Sequence, residues 1–297
     1  MKHLFAFISV INLWVFALGT ISVSAQESDS SFQFNFKKSN INIKKPKGNF
    51  YFYWGYNRAS YAKSEIHLKG PDYDFILSDV KARDMPEEFS SVYFDINKLT
   101  IPQFNFRVGY HLSDKYALAV GWDHMKYQTR SGQPAIITGR IDASASPTYA
   151  GYYNHDEIIM DEDNLVKMEH SDGFNVINLN IERTDFLYTT KDQNFALGII
   201  SGAGAGIAFP WTNSSIFGQK NDDRPKISGM GAHIYGAAQA TVFKRFFLRL
   251  TLQGGFENMW AIATVPRGDH SAHAEQTIFY YQRSLVLGYN FRLFDKN

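Results

Sequence analysis

The chain has no cysteine, which removes disulfides, zinc–thiolate centres and the lipid-bearing cysteine of a lipoprotein. It also lacks an excess of charge of either sign. The formal net charge is +1, whereas nucleic-acid binders concentrate basic charge, so no nucleic-acid partner is expected. Past the N-terminal segment no continuous apolar stretch reaches the roughly 18 residues a membrane-crossing helix needs, which excludes a helical membrane protein. A phosphate loop is missing too: Gly202-Ala203-Gly204-Ala205-Gly206 has neither the lysine nor the helix that should follow it.

Aromatic side chains are plentiful, at 16% of the chain with 17 Tyr and 25 Phe. Such rings suit strands whose ends meet a lipid–water boundary. The N-terminus reads as an export signal. Lys2 and His3 precede an apolar run from Leu4 to about Gly19, and Val23-Ser24-Ala25 offers small residues for cleavage. Residues 1–25 are therefore expected to be a signal peptide. Residues 26–48, with Lys37, Lys38, Lys44, Lys45 and Lys47, are expected to be a flexible basic periplasmic leader whose lysines rest on anionic headgroups.

From Phe104 onward the chain alternates with period two. Phe104, Phe106, Val108, Tyr110 and Leu112 face one way, and Asn105, Arg107, Gly109 and His111 the other. The segments around 116–123, 195–209, 246–257 and 282–293 repeat the pattern, each with Leu- and Phe-rich residues opposite Gly, Ala, Ser and polar ones. Small and polar residues suit the crowded inside of a narrow barrel, and the greasy face suits lipid. In lipid every backbone group must be paired, so the sheet has to close.

Connections support the same fold. Tight turns at Leu112–Lys115, Thr189–Asp192 and Lys244-Arg245 alternate with long segments near 59–100, 129–173, 210–226 and 263–275. Short on one side and long on the other is the plan of an outer-membrane barrel. About eight strands are expected, near 49–58, 101–112, 115–128, 174–188, 193–209, 227–243, 246–262 and 276–294, with both termini periplasmic. The phase set by Ile177, Leu179 and Ile181 carries Arg183 and Asp185 toward lipid, and a bulge near Arg183–Thr184 is expected to restore Phe186 and Tyr188 to the outer face. Trp54, Trp122, Trp211 and Trp260 fall toward the outer strand ends as an aromatic girdle.

With a final segment Tyr289-Asn290-Phe291-Arg292-Leu293-Phe294, the chain resembles small eight-stranded outer-membrane barrels of the OmpA/OmpX/OmpW type. The resemblance spans roughly 49–294 and is architectural. It implies a Gram-negative outer-membrane location, contact with outer-membrane lipid and lipopolysaccharide, and handling by the barrel-assembly machinery. It departs at Asp295-Lys296-Asn297, which follow the closing aromatic.

An eight-stranded interior is just wide enough to be filled by side chains, so a diffusion porin is disfavoured. Arg107, Arg249 and Arg292 with Asp123, Glu182 and Glu257 are expected to pair as an internal polar plug. Above the barrel, Lys63–Leu68 and Tyr73–Val80 flank Gly70-Pro71 as a hairpin, and Ala135–Ile141 and Glu157–Met160 read as further strands. These either extend the wall or span the membrane, which would raise the count to ten or twelve.

Three constellations carry possible chemistry. Asp156, Glu157, Asp161 and Asp163 offer hard-cation oxygens without the glycine spacing of a calcium loop, so no metal site is assigned. His170, Ser171, His270 and His273 bring nucleophile and base residue types toward the outer rim, and lipid A deacylases and palmitoyltransferases are small barrels that use such residues. Here the motif spacing of those enzymes is not reproduced. Arg267-Gly268-Asp269 matches an adhesion tripeptide. The leading expectation is a non-enzymatic, cofactor-free, monomeric barrel with a structural or surface-binding role through its outer loops. A lipid-modifying enzyme and a narrow channel for small or hydrophobic solutes stay open.

Overall fold

The computed structural model describes residues 41–98, 100–221, 224–266 and 269–293, excluding the side chains of Ile96 and Ser171. The expected signal peptide, the leader up to Asn40, the Arg267-Gly268 pair and the closing Phe294 lie outside the described residues. In chain order the strands are β1 (Phe50–Tyr61), β2 (Ser64–Gly70), β3 (Tyr73–Val80), β4 (Ala82–Arg83), β5 (Phe104–His111), β6 (Tyr116–Thr129), β7 (Pro134–Ile141) and β8 (Gly151–Ile159). They continue with β9 (Val166–Thr189), β10 (Phe195–Ala208), β11 (Trp211–Ile216), β12 (Gln219–Lys220), β13 (Arg224–Pro225), β14 (Gly229–Val242), β15 (Phe246–Ala263) and β16 (His273–Phe291).

Eight of these close a ring. The order runs β1-β5-β6-β9-β10-β14-β15-β16, and β16 returns to pair with β1 from Phe50↔Phe291 to Tyr61↔Tyr280. Every ring pairing is antiparallel. The fold is thus a closed antiparallel transmembrane β-barrel, and the strand count is settled at eight.

Alternation fixes which face is which. On β15, Phe246, Leu248, Leu250 and Leu252 are exposed, whereas Phe247, Arg249, Thr251 and Gln253 are buried. On β16, Leu285 and Leu287 are exposed and Ser284 and Val286 buried. An exposed Leu/Phe belt around a polar interior inverts the soluble sandwich and matches a lipid-facing wall. The inward glycines make room for rings. A Cβ on Gly202 would stand 2.2 Å from Tyr235 Cζ, and one on Gly288 2.1 Å from Phe247 Cζ.

The long outer segments extend the wall rather than cross the membrane. The outer end of β16 passes from β1 to β2, and β3, β7 and β8 follow in the same sheet. Opposite them, β4 pairs with β6 and β11 with β9. Between the two arms lies an apolar core that joins Ile66, Leu68, Phe75, Leu77 and Ile137 to Met125, Tyr127, Met168, Phe174 and Ile216. Phe217 meets Tyr73 and Phe75 across the gap, with ring centroids 5.4 and 5.9 Å apart. The hairpin around Gly70-Pro71 forms as expected. The strand expected over Glu157–Met160 is longer, starting at Gly151, because a bulge at His155 (φ 63°) breaks its alternation.

Two expectations are corrected. Residues 41–48 do not behave as a loose leader: Ile41 and Ile43 are each 5% exposed. The Ile43 N–H donates to Gln193 Oε1 (3.0 Å) at the β9–β10 turn, and the Lys47 N–H to Asp114 Oδ1 (3.4 Å) at the β5–β6 turn. The β9–β10 turn stands opposite β1 in the ring, so this segment crosses the inner mouth before Gly48 (φ 85°) turns it into β1. The bulge in β9 falls at Leu187, where Leu197 pairs with Tyr188 and Gly198 with Phe186. Arg183 and Asp185 therefore do face outward, and they pair with each other at 2.8 and 3.0 Å beside Lys115 of the inner turn. Mutual neutralisation at the belt's inner edge makes a bulge at Arg183 unnecessary.

Candidate functional site

The lumen joins residues of adjacent strands with residues of strands on opposite sides of the ring. Glu182 on β9 accepts from Arg249 Nη1 on β15 at 3.0 Å, from the Tyr51 hydroxyl at 2.7 Å and from the Tyr235 hydroxyl at 2.9 Å. Arg107 on β5 stands between the two carboxylates, 3.5 Å from Glu182 and 3.7 Å from Asp123. Asp123 accepts from Asn105 (2.6 Å), Asn178 (3.1 Å) and Gln253 (3.2 Å). All four charged groups are at most 4% exposed. Two cations and two anions face one another here, and amides and phenols donate to both carboxylates, which offsets the cost of burying these charges.

Aromatic faces complete the seal. Arg249 lies over Tyr51 and Tyr53, with its guanidinium carbon 5.4 and 5.1 Å from their centroids, and Arg107 lies over Tyr235 at 4.9 Å. These three tyrosines are lumen residues that patterning missed. In β1 the run Phe50-Tyr51-Phe52-Tyr53-Trp54 is aromatic on both faces, so hydrophobicity carries no phase there. The signal lay in the hydroxyls, which Tyr51 and Tyr53 have and their outward neighbours lack.

Of the expected plug, Arg107, Asp123, Glu182 and Arg249 come together. Glu257 is fully buried and faces the lumen, but neither of its carboxyl oxygens has a hydrogen-bond partner. Arg292 follows the last residue of β16, beyond the ring strands. Trp54 stacks on Phe104 at 4.2 Å and Trp122 meets the same ring at 5.1 Å, while Trp260 is exposed on β15 and Trp211 begins β11.

The chemical candidates are dispersed. His170 is fully buried in the apolar core above the lumen, between Tyr127 and Phe174, with Nδ1 3.1 Å from Thr212 Oγ1. Burial there pushes its pKa down to about 3. His270 and His273 instead line a surface cleft of about 210 Å³ with Arg224 and Lys226, a cleft that His170 does not reach. The Ser171 side chain is outside the described residues. The acidic cluster is engaged in its own turns: Asp161 accepts from Asp163 N, Asn164 N and Asn164 Nδ2, and Asp156 from Asn154 N. Hydrogen bonding from Asn164 lowers the Asp161 pKa. Among the described residues no group of His and carboxylates is arranged to hold a metal ion.

The chain is similar in fold to small outer-membrane barrels. The outer membrane protein OprG from Pseudomonas aeruginosa has 8% identity and a TM-score of 0.40, covering 84% of this chain and 99% of its own. The outer membrane protein AlkL, solved in DMPC bilayers, has 9% identity and a TM-score of 0.43, with 93% and 100% covered. Ail, the attachment invasion locus protein of Yersinia pestis, has 10% identity and a TM-score of 0.31, with 82% and 99% covered. No family model matches the chain. No curated protein matches it either. The barrel assignment itself stands on ring closure between β1 and β16.

Proposed function

We propose that this protein is a non-enzymatic outer-membrane barrel whose working part is its rigid outer head, acting by binding at the cell surface. The observation that carries the reading is a lumen closed at three levels. The segment 41–48 crosses the inner mouth, the Arg107/Glu182/Arg249/Asp123 network fills the middle, and the apolar core between the outer sheets covers the top. An interior filled by side chains and crossed by ion pairs favours stability over conduction, since a solute would have to break several buried charge-assisted bonds at once.

The head is built to present a surface. Its strands continue the barrel hydrogen-bonding pattern, so loops that would otherwise be mobile are held by a core of their own. Tyr152 and Ile159 project from β8, the terminal strand of one arm, beside Asp156 and Glu157. The test is planar-bilayer conductance of the purified mature chain. The expected outcome is a silent membrane, and large stable pores would overturn the proposal.

A further inference from the structure

The lumen carries more negative than positive charge. Asp123, Glu182 and Glu257 face two guanidiniums, Arg107 and Arg249, so one carboxylate is left over among the described lumen residues. The bonds identify it. Glu182 and Asp123 are each met by an arginine and by phenol or amide donors. Glu257 on β15 is fully buried, and neither of its carboxyl oxygens has a hydrogen-bond partner. Buried polar atoms without partners are rare in folded proteins, and an ion is one of the few things that satisfies them.

Register places further oxygens beside this carboxylate. Glu257 stands opposite Ile278 on β16, so Gln276 and Tyr280, two residues to either side, are its diagonal neighbours on the same buried face. The Gln276 amide nitrogen donates to Tyr127 Oη (2.7 Å) and Ser64 Oγ (2.9 Å), and its Oε1 has no donor. The Tyr280 hydroxyl accepts from Gln253 Nε2 at 3.3 Å, the amide that also holds Asp123 at 3.2 Å. On the other flank Glu257 pairs with Gly231, where a Cβ would stand 2.5 Å from the carboxyl carbon, so only glycine admits the carboxylate there.

Neither of the simpler ways to neutralise Glu257 fits. His233, diagonal to it on β14, has Nε2 2.8 Å from Asn180 Oδ1 and leaves Nδ1 without a partner. The ring therefore does not close on the carboxylate. A proton on Glu257 would cancel the charge but set an unmet O–H beside an unmet carbonyl oxygen. A small hard cation bound by both oxygens cancels the charge and satisfies both acceptors at once. Its valence follows from the surplus: one positive charge balances the lumen, and a divalent ion would leave one uncompensated.

We propose that the lumen holds a monovalent cation of the sodium type, bound by both carboxyl oxygens of Glu257 with Gln276 Oε1 and the Tyr280 hydroxyl beside them. One carboxylate with neutral oxygens is a ligand set for a hard, singly charged ion rather than for a transition metal. The ion is a counter-ion that enters as the barrel closes and makes its charged interior neutral. This site lies inside the barrel and is separate from surface binding by the head.

The test refolds the mature chain into phosphatidylcholine vesicles in sodium chloride or in N-methylglucamine chloride of equal ionic strength, and follows urea unfolding by tryptophan emission. Sodium is expected to stabilise the barrel, with the folded-to-unfolded ratio rising by up to about tenfold for each tenfold rise in sodium. E257Q keeps the side-chain shape and removes the charge. It is expected to fold with its heat-modifiable gel shift intact and to lose that dependence. Equal wild-type stability in the two salts overturns the proposal, and so does a sodium effect that E257Q retains. Calcium chloride at the same ionic strength is expected to stabilise no more than sodium, and a larger effect of calcium overturns the single charge. Infrared spectra at neutral pH give a second readout: a protonated-carboxyl band present in the wild type and lost in E257Q puts a proton in place of the cation and overturns the proposal as well. Planar-bilayer conductance tests the surface-binding reading separately, so the two can fail independently.

Discussion

Arg249 Nη1 meets Glu182 Oε1 at 3.0 Å across the lumen, joining β15 to β9 although β10 and β14 separate them in the ring. The bond therefore braces the barrel across its interior rather than along its wall. Removing one partner leaves a buried charge uncompensated, which costs about 3–5 kcal/mol. Glu182 serves both Arg249 and Arg107, so Glu182→Ala is expected to destabilise more than Arg249→Met. Urea unfolding in lipid vesicles, read by tryptophan emission, checks the order. If the two losses are equal, Arg107 does not depend on Glu182.

Ring-over-glycine packing makes a second expectation. Gly202→Ala places a methyl inside the Tyr235 ring contact and is expected to cost about 1–3 kcal/mol. Gly236, on the exposed face with nothing within 4 Å of a built Cβ, is expected to accept alanine within about 0.5 kcal/mol. The paired comparison by the same unfolding assay isolates lumen packing from intrinsic strand propensity. A Gly236→Ala loss as large as that of Gly202→Ala would reverse the assignment of faces.

The assignment of faces was legible because Leu, Phe and Ile alternate with Gly, Ala and charge along β10, β15 and β16, and a two-residue period survives any uncertainty about strand ends. The Arg/Glu/Asp plug was legible for the same reason, since charges in phase with glycine have only one place to go. Three features were hidden by physics rather than by noise. In β1 both faces are aromatic, so the inward tyrosines carried no hydropathy contrast. Ile41 and Ile43 are two apolar residues in a lysine-rich tail, too few to outweigh its polarity until a barrel mouth is there to receive them. Arg183 and Asp185 looked wrong for lipid singly and are acceptable as a pair.

Lipid contact itself is testable at Leu287, which is 69% exposed, beside Val286, which is 1% exposed. Leu287→Arg is expected to cost about 2–4 kcal/mol if the position lies near the bilayer midplane and less toward the headgroups. A hydrocarbon-soluble carbene should label Leu287 and Leu250 and spare Val286. Labelling of Val286 in preference to Leu287 would contradict the lipid-facing wall.

The head has its own core, so it should loosen without the barrel. Phe75→Ala removes a fully buried ring from the arm of β3 that meets Phe217, and is expected to cost about 3–5 kcal/mol locally. Limited proteolysis should then cut between residues 64 and 160 while the heat-modifiable gel shift of the barrel persists. Loss of both together would mean that head and barrel unfold as one unit.

His170 gives the head a pH dependence whose sign follows from its surroundings. Buried beside Tyr127 and Phe174, it stays neutral in the folded head down to about pH 3, whereas its unfolded value is 6.5. Above pH 6.5 both states carry a neutral ring and the group contributes no pH dependence. As pH falls from 6.5 toward 3 the unfolded chain takes up a proton that the folded head refuses, so stability drops across that window and levels off below it. At pH 4 the loss is about 3 kcal/mol relative to pH 7. Proteolytic susceptibility of the head, measured at both pH values, should rise at pH 4 in the wild type and rise less in His170→Gln, which keeps a polar group near Thr212 Oγ1 without a titrating ring. Identical pH responses in the two proteins would place His170 in contact with water and remove it from the core.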